Sequence, residues 1–392
     1  MLAGGLQIGF GLLRLDVLMR FVSRSVRTGF VNALAILIFC AQLPQMLGAS
    51  WQTFAMIAAG LAIIYLVPRL TTAIPSPLIC ILVLTVVSVL FPMPLRTVAD
   101  LGRLPTSLPA FALPHIPASL ASLAIVAPYA LAMAAVGLLE SMMTASVVDE
   151  LTETTSSKAR ECTGLGLANM AAGLFGGIAG CGMIGQTVGN VRYGGRGRLS
   201  TLVAGAFLLV LMVLLRPWVA RVPVAALVAI MIMVSASTFS WPSLRDLARH
   251  PRVSSAVMLA TVAVTVATSD LAAGVGVGVL LSGVFFASKV MRLMDVRSDY
   301  DSATDTRCYR VAGQVFFASA EMFAERFDLR DTARHVRIDL SDAHLWDVTA
   351  VGALEGVVSR MRRHGTEVEL VGLNEASAVL LDRHAPLTMA PV

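Results

Sequence analysis

Gly173-Leu-Phe-Gly-Gly-Ile-Ala-Gly-Cys-Gly-Met-Ile-Gly-Gln-Thr-Val-Gly-Asn190 lies between two apolar stretches and runs on into Val191-Arg-Tyr-Gly-Gly-Arg-Gly-Arg198. Each glycine inside a helix is about 1 kcal/mol less favourable than alanine, so a continuous helix does not tolerate this density. An unwound backbone at membrane depth persists only where protein or a water-filled cavity satisfies its N–H and C=O groups. Transport proteins use half-helices of this kind to hold anions, because a helix N terminus carries about half a positive charge. The piece around 181–190 is too short to cross a bilayer and reads as such a half-helix.

The flanking sequence supports a membrane setting. Of 392 residues, 56% are hydrophobic and 14% charged, and the mean hydropathy is +0.77. A soluble domain is about a quarter charged. Apolar stretches fall near 28–48, 51–67, 76–92, 120–146, 163–178, 199–218, 223–240, 253–269 and 271–290, most approaching the ~20 residues a span requires. The segment opening at Met1 is apolar for only about a dozen residues, and it lacks the basic leader of a signal peptide. It reads as the end of a helix whose start is missing, so an N-terminally truncated chain is expected.

Counting the half-helix as one crossing places Arg14, Arg20, Arg24, Arg27, Arg69, Lys158, Arg160, Arg192, Arg196, Arg198, Arg245, Arg249, Arg252, Lys289 and Arg292 on one face. Arg96, Arg103, Arg216 and Arg221 fall on the other. The positive-inside rule makes the crowded face cytoplasmic, and the formal charge of +5 follows from it without nucleic acid. A proline-rich loop at 93–118 (Pro94, Pro105, Pro109, Pro114, Pro117) lies outside. Pro75, Pro77 and Pro242 mark helix boundaries. The five cysteines (40, 80, 162, 181, 308) form no C-x-x-C and the histidines no cluster, so neither a metal site nor a cofactor is indicated. No P-loop or catalytic triad supports an enzyme.

Beyond Lys289 charge becomes frequent and the pattern changes to alternating strands and helices. Cys308–Ala318, Val336–Leu340 and Val368–Leu373 read as strands. Val348–His364, closed by Gly365, and Ala376–His384 read as helices. The fold class is a polytopic α-helical membrane protein followed by a small cytoplasmic α/β domain.

Several motifs then carry a family resemblance. Gly137-Leu-Leu-Glu-Ser-Met-Met-Thr-Ala145, Asp149-Glu150, Arg160-Glu161, Gly166-Leu-Ala-Asn169, the glycine-rich segment, Arg196-Gly-Arg-Leu-Ser200 and Phe21-Val-Ser-Arg-Ser-Val-Arg-Thr-Gly-Phe30 resemble the SulP (sulfate permease) anion transporters. Phe316-Phe-Ala-Ser319, Ile338-Asp-Leu-Ser341 and Asp347-Val-Thr-Ala350 resemble the STAS domain of that family. The resemblance implies an incomplete seven-plus-seven inverted-repeat transporter fold over residues 1–290, from the end of the fourth helix through the fourteenth, and a STAS domain over 297–392. It further implies secondary transport of sulfate, bicarbonate or dicarboxylate anions across the inner membrane by an elevator-like motion, a homodimer, and a cytoplasmic protein partner for the STAS domain. The competing reading is a truncated remnant that acts only as a membrane-anchored STAS module.

Glu140 is the carboxylate deepest in an apolar span, a costly placement that usually faces a cavity or a partner. Thr144 lies four residues on, on the same helix face. The resemblance sets that face opposite the half-helix, so Glu140, Thr144, Gly182, Met183, Ile184, Gly185, Gln186 and Thr187 form the candidate anion site. Burial disfavours the charged carboxylate, which suits H⁺ as coupling ion. The alternatives are a structural Glu140 bonded to a broken helix, and small residues serving only helix packing.

Three positions depart from the family. Ala179 stands where proline is common, Gln186 where some relatives have arginine, and Ile184 where sodium-coupled relatives place threonine, which weighs against Na⁺. Asn169 and Asp149 read as capping or interdomain groups, and Arg192, Arg196 and Arg198 as headgroup anchors. In the STAS part, Thr349 resembles a phosphorylated loop position, although an Asp347 N-cap explains the same residues and ranks ahead.

Overall fold

The computed structural model describes residues 1–384, apart from 16, 18–20, 72–73, 92, 103, 114–116, 118, 250–251 and 330–332. Arg20, Arg103 and Pro114 lie outside the described residues. The chain divides into two compact units, Met1–Val279 and Leu280–Val392.

The first unit is helical: α1 (Leu2–Leu12), α2 (Arg24–Cys40), the one-turn α3 (Leu43–Met46), α4 (Trp51–Leu66), α5 (Ser76–Leu90), the one-turn α6 (Val98–Leu101), α7 (Leu120–Thr152), α8 (Lys158–Leu174), α9 (Ile184–Arg192), α10 (Arg198–Val213), the one-turn α11 (Arg216–Val219), α12 (Val224–Thr238), α13 (Trp241–Arg249), α14 (Arg252–Thr268) and the first part of α15 (Leu271–Met291), whose remainder belongs to the second unit. Among the described residues, Arg24–Met46, Trp51–Arg69, Leu120–Thr152 and Leu271–Met291 are long and apolar enough to cross a membrane. Val224–Thr238 joined to Trp241–Leu247 makes a further span bent by 40°. The remaining apolar helices are shorter; Pro75 and Pro77 bound α5, and Pro217 follows α10.

Two groups of helices emerge from what packs on what. In one, α1 lies along α8 and α7, and α7 also meets α9. In the other, α2, α4, α5, α12 and α14 pack together. The first group rests on close backbone approach. A Cβ on Gly4 would sit 2.6 Å from Gly166 O, and one on Gly166 2.6 Å from Gly4 O, so only glycine permits the α1–α8 crossing. Small residues serve helix association in lipid for this reason.

The second group buries Met56, Ile57 and Ile64 of α4 and Cys80 and Leu84 of α5 against Val224, Ala226, Val228 and Ala229 of α12. Its polar bonds stitch the bend between α12 and α13. Asn32 donates to Ser243 Oγ at 2.8 Å and accepts from Ser240 N–H at 2.9 Å, so the break is anchored to α2.

The second unit holds β1 (Asp295–Asp301), β2 (Thr306–Val315), α16 (Ala320–Glu325), β3 (His335–Leu345), α17 (Val348–Arg363), β4 (Glu367–Val371) and α18 (Glu375–His384). The sheet order is β1-β2-β3-β4. β1 is antiparallel to β2, whereas β2–β3 and β3–β4 are parallel, with α16 and α17 as the crossovers a parallel pair needs. Val351, Leu354, Val357, Val358 and Met361 recur at helical spacing and bury that face of α17 in a core shared with Val311, Ile338, Leu340 and Val368. Each such side chain contributes on the order of 1.5–3 kcal/mol when fully buried. Gly365 at φ +85 ends α17 as its sequence signal requires. β1 and α16 are additions to the sequence reading: β1 is Asp-Val-Arg-Ser-Asp-Tyr-Asp, an exposed edge strand with no apolar alternation.

Candidate functional site

The site is built where α8 stops. Its last turn closes at Phe175, and Gly176 takes a left-handed φ of +72, the usual glycine exit from a helix. Residues 177–183 have no regular structure, and α9 starts at Ile184. The half-helix expected around 181–190 therefore begins later than its glycines suggest: Gly182 and Met183 belong to the unwound stretch. At nine residues, α9 is about 14 Å long, less than half of a ~30 Å hydrocarbon core.

α7 supplies one wall. Its Glu140, Ser141 and Thr144 are all buried, and each reaches the unwound segment. Cys181 Sγ donates to Glu140 Oε2 at 2.9 Å. Gly182 N–H donates to Ser141 Oγ at 2.9 Å, and Thr144 Oγ1 donates to Gly182 O at 2.6 Å. The free backbone N–H and C=O of Gly182 are thus satisfied by two hydroxyls, as a backbone without secondary structure requires. Among the described residues, Glu140 accepts from a thiol, that of Cys181 in the unwound segment.

The first turn of α9 has no side-chain cap: Met183 is the N-cap residue and makes no capping bond. Gly185 and Gln186 are exposed, while Gly182, Met183, Ile184 and Thr187 are half-buried. A Cβ on Gly185 would meet nothing within 4 Å, so the backbone there is open to approach. An uncapped helix N terminus of this kind is a ready anion cradle. Thr187 is turned away from that role, since its hydroxyl donates to Met183 O at 2.8 Å, a local back-bond common for threonine in helices. Arg192 lies in the last turn of α9, and Arg192, Arg196 and Arg198 are exposed.

Glu140, Thr144, Gly182 and Met183 therefore converge with the start of α9. Ser141 and Cys181 share the site without having been singled out in the sequence, although Ser141 sits beside the acid in the quoted Gly137–Ala145 motif. Asp149 has a local role: it accepts from Lys158 Nζ at 2.8 Å and from Ser156 Oγ at 2.8 Å, fastening the turn between α7 and α8.

In the second unit Asp347 caps α17, accepting from Ala350 N–H at 2.9 Å through Oδ1 and from Phe317 N–H at 2.7 Å through Oδ2. Thr349 is exposed in the first turn, beside the exposed apolar Phe317, Trp346 and Val348.

Together these features define a class: a multi-pass α-helical membrane protein of a transporter fold, with a discontinuous helix and an appended α/β domain. The Sulfate permease family model matches residues 1–62 and 49–261, and the STAS domain model matches residues 298–386. The chain belongs to the sulfate permease family.

YbaR of Bacillus subtilis strain 168, which carries a provisional sulfate-transporter name, is 49% identical over 384 residues, covering 98% of this chain and 80% of YbaR. The bicarbonate transporter BicA of Synechocystis is 27% identical over 417 residues, covering 95% of this chain and 72% of BicA. Among solved structures, murine Slc26a9, described as an anion transporter in the inward-facing state, superposes with a TM-score of 0.81 over 98% of this chain and 70% of its own. Its sequence identity is 16%, so the likeness is one of fold. The transmembrane domain of a cyanobacterial BicA superposes with a TM-score of 0.60 at 27% identity, over 70% of this chain and 74% of its own. These relatives are named as transporters, not enzymes.

Proposed function

We propose that the chain is a secondary transporter of small oxyanions, of the sulfate or bicarbonate class. The observation that carries this reading is the uncapped first turn of α9, held beside the buried Glu140 and Thr144 by the bonds at Cys181 and Gly182. Backbone N–H groups and the positive helix end attract an anion without a fixed cation, consistent with the neutral Gln186 in the first turn.

Glu140 is the proton carrier in this reading. Its protonation beside the anion site removes a repulsive charge as the anion enters. The movement is an elevator-like displacement of α1, α7, α8 and α9 against the group formed by α2, α4, α5, α12 and α14. What supports it is that the two groups pack closely within themselves and meet chiefly where α12 touches α9. The membrane is the inner membrane, with the arginine-rich loops and the STAS domain in the cytoplasm, and the assembled form is a homodimer.

The test is uptake of labelled sulfate and bicarbonate into proteoliposomes under imposed pH or sodium gradients. Acceleration by an inward proton gradient, lost in Glu140→Gln, is the expected result. Uptake that ignores pH but requires sodium refutes proton coupling. No uptake of either anion by the folded protein refutes oxyanion transport of this class.

A further inference from the structure

Asn169 of α8 makes three hydrogen bonds to which the transport reading gives no role. Gly180 N–H donates to its Oδ1 at 2.8 Å. Its Nδ2 donates to Gly180 O at 3.0 Å and to Gln7 Oε1 at 2.8 Å. One side chain thus satisfies both backbone groups of Gly180, as a neighbouring strand would, in a stretch with no strand or helix of its own.

The pattern also fixes both amides. Only an oxygen accepts from Gly180 N–H, so Asn169 turns Nδ2 towards Gln7, and Gln7 presents its Oε1 in return. Gln7 is 0% exposed, and its Nε2 has no hydrogen-bond partner among the described residues. That nitrogen lies against the bare backbone of Gly137, where a Cβ would come within 2.9 Å of it. A buried donor without an acceptor is unfavourable, so what keeps glutamine here is its oxygen.

We propose that Asn169 and Gln7 are positioning residues of the anion site: an amide clamp from α8 and α1 that holds the unwound backbone at Gly180. Gly180 adjoins Cys181 and Gly182, which α7 holds through Glu140, Ser141 and Thr144. The clamp and the α7 bonds together fix three consecutive residues, just ahead of the N-cap Met183. That fixes the direction in which the first turn of α9 faces, although neither amide touches the anion. The inference rests on the transport reading for its kinetic readout and on geometry alone for its second readout.

The experiment uses the full chain with Cys40→Ser and Cys308→Ser, which leaves Cys80 and Cys162 buried and Cys181 exposed. Asn169→Ala, Asn169→Asp and Gln7→Met are compared for sulfate and bicarbonate KM and maximal rate, and for the rate at which a maleimide labels Cys181. Asn169→Ala is expected to raise KM by roughly tenfold, the factor for one or two net hydrogen bonds, with the maximal rate within about twofold. Labelling of Cys181 is expected to speed up several-fold as it leaves Glu140. Asn169→Asp keeps an acceptor for Gly180 N–H and falls between, and Gln7→Met has the smallest effect. Because the amides act as a unit, Asn169→Ala with Gln7→Met is expected to be no worse than Asn169→Ala alone.

Wild-type KM and labelling in folded variants, or additive effects in the double variant, overturn the clamp. Should Asn169→Ala fail to fold, the Asp and Met variants carry the same readouts. If the wild type moves neither anion, transport is refuted, and faster Cys181 labelling in the variants still upholds the clamp.

Discussion

Thr144→Val isolates one bond on which the geometry of the proposed anion site depends. Valine matches threonine in shape, so the substitution removes the hydroxyl and little else. In the native protein that hydroxyl is buried and donates to Gly182 O at 2.6 Å, two residues before α9 begins at Ile184. Losing the partner of the half-buried Gly182 carbonyl is destabilising by about 1–3 kcal/mol where water does not replace it. If the loss falls on the arrangement that binds the anion, and each ~1.4 kcal/mol is a factor of ten, affinity weakens by roughly 5- to 150-fold. Sulfate and bicarbonate KM in proteoliposomes, measured with the thermal midpoint of the purified protein, separate a local from a global effect. The expected outcome is a raised KM, a midpoint shift of only a few degrees, and restoration by Thr144→Ser. A KM within twofold of wild type in the folded Val variant would refute the view that α7 sets the position of the α9 terminus.

Three further outcomes follow from other parts of the chain. In α8, a Cβ on Gly166 would lie 2.6 Å from Gly4 O and 2.7 Å from Ile8 N, whereas one on Gly164 would meet nothing within 4 Å. Gly166→Ala should therefore lower the thermal midpoint, with overpacking of about 1–3 kcal/mol, while Gly164→Ala in the same helix should raise it by up to about 1 kcal/mol of helix propensity. Asp347→Ala removes the cap of α17 and the acceptor for Phe317 N–H, a loss of about 1–2 kcal/mol, visible as faster amide exchange in the first turn of α17. Asp339 is held below the ordinary carboxylate range by the Ser341 hydroxyl and then its N–H. A lowered native pKa stabilises above the unfolded value near 3.8 and is lost as pH falls through the native one. Ser341→Ala should shift acid unfolding of the second unit to higher pH, read by exchange at β3.

Most helices were legible because lipid imposes a simple rule: a long apolar run with few charges has one stable conformation. The same rule explains where reading failed. Residues 177–183 carry no periodicity, so the sequence alone places the start of α9 two or three residues early. The charged edge strand β1 has no buried face to announce it. In the candidate site, an acid inside an apolar span is conspicuous in a sequence, and so is a glycine cluster. The groups that satisfy the unwound backbone are small and polar and resemble ordinary helix residues: Ser141 is one serine among many, and Asn169 reads as a capping or interdomain group with nothing local to name Gly180 as its partner. Gln7 is harder still, since its partner lies 162 positions away and its pairing depends on α1 reaching α8 through Gly4 and Gly166. A broken membrane helix needs such partners for its freed N–H and C=O groups, so the quoted glycines foretell that they exist, and only the packing of α1, α7 and α8 says which residues they are.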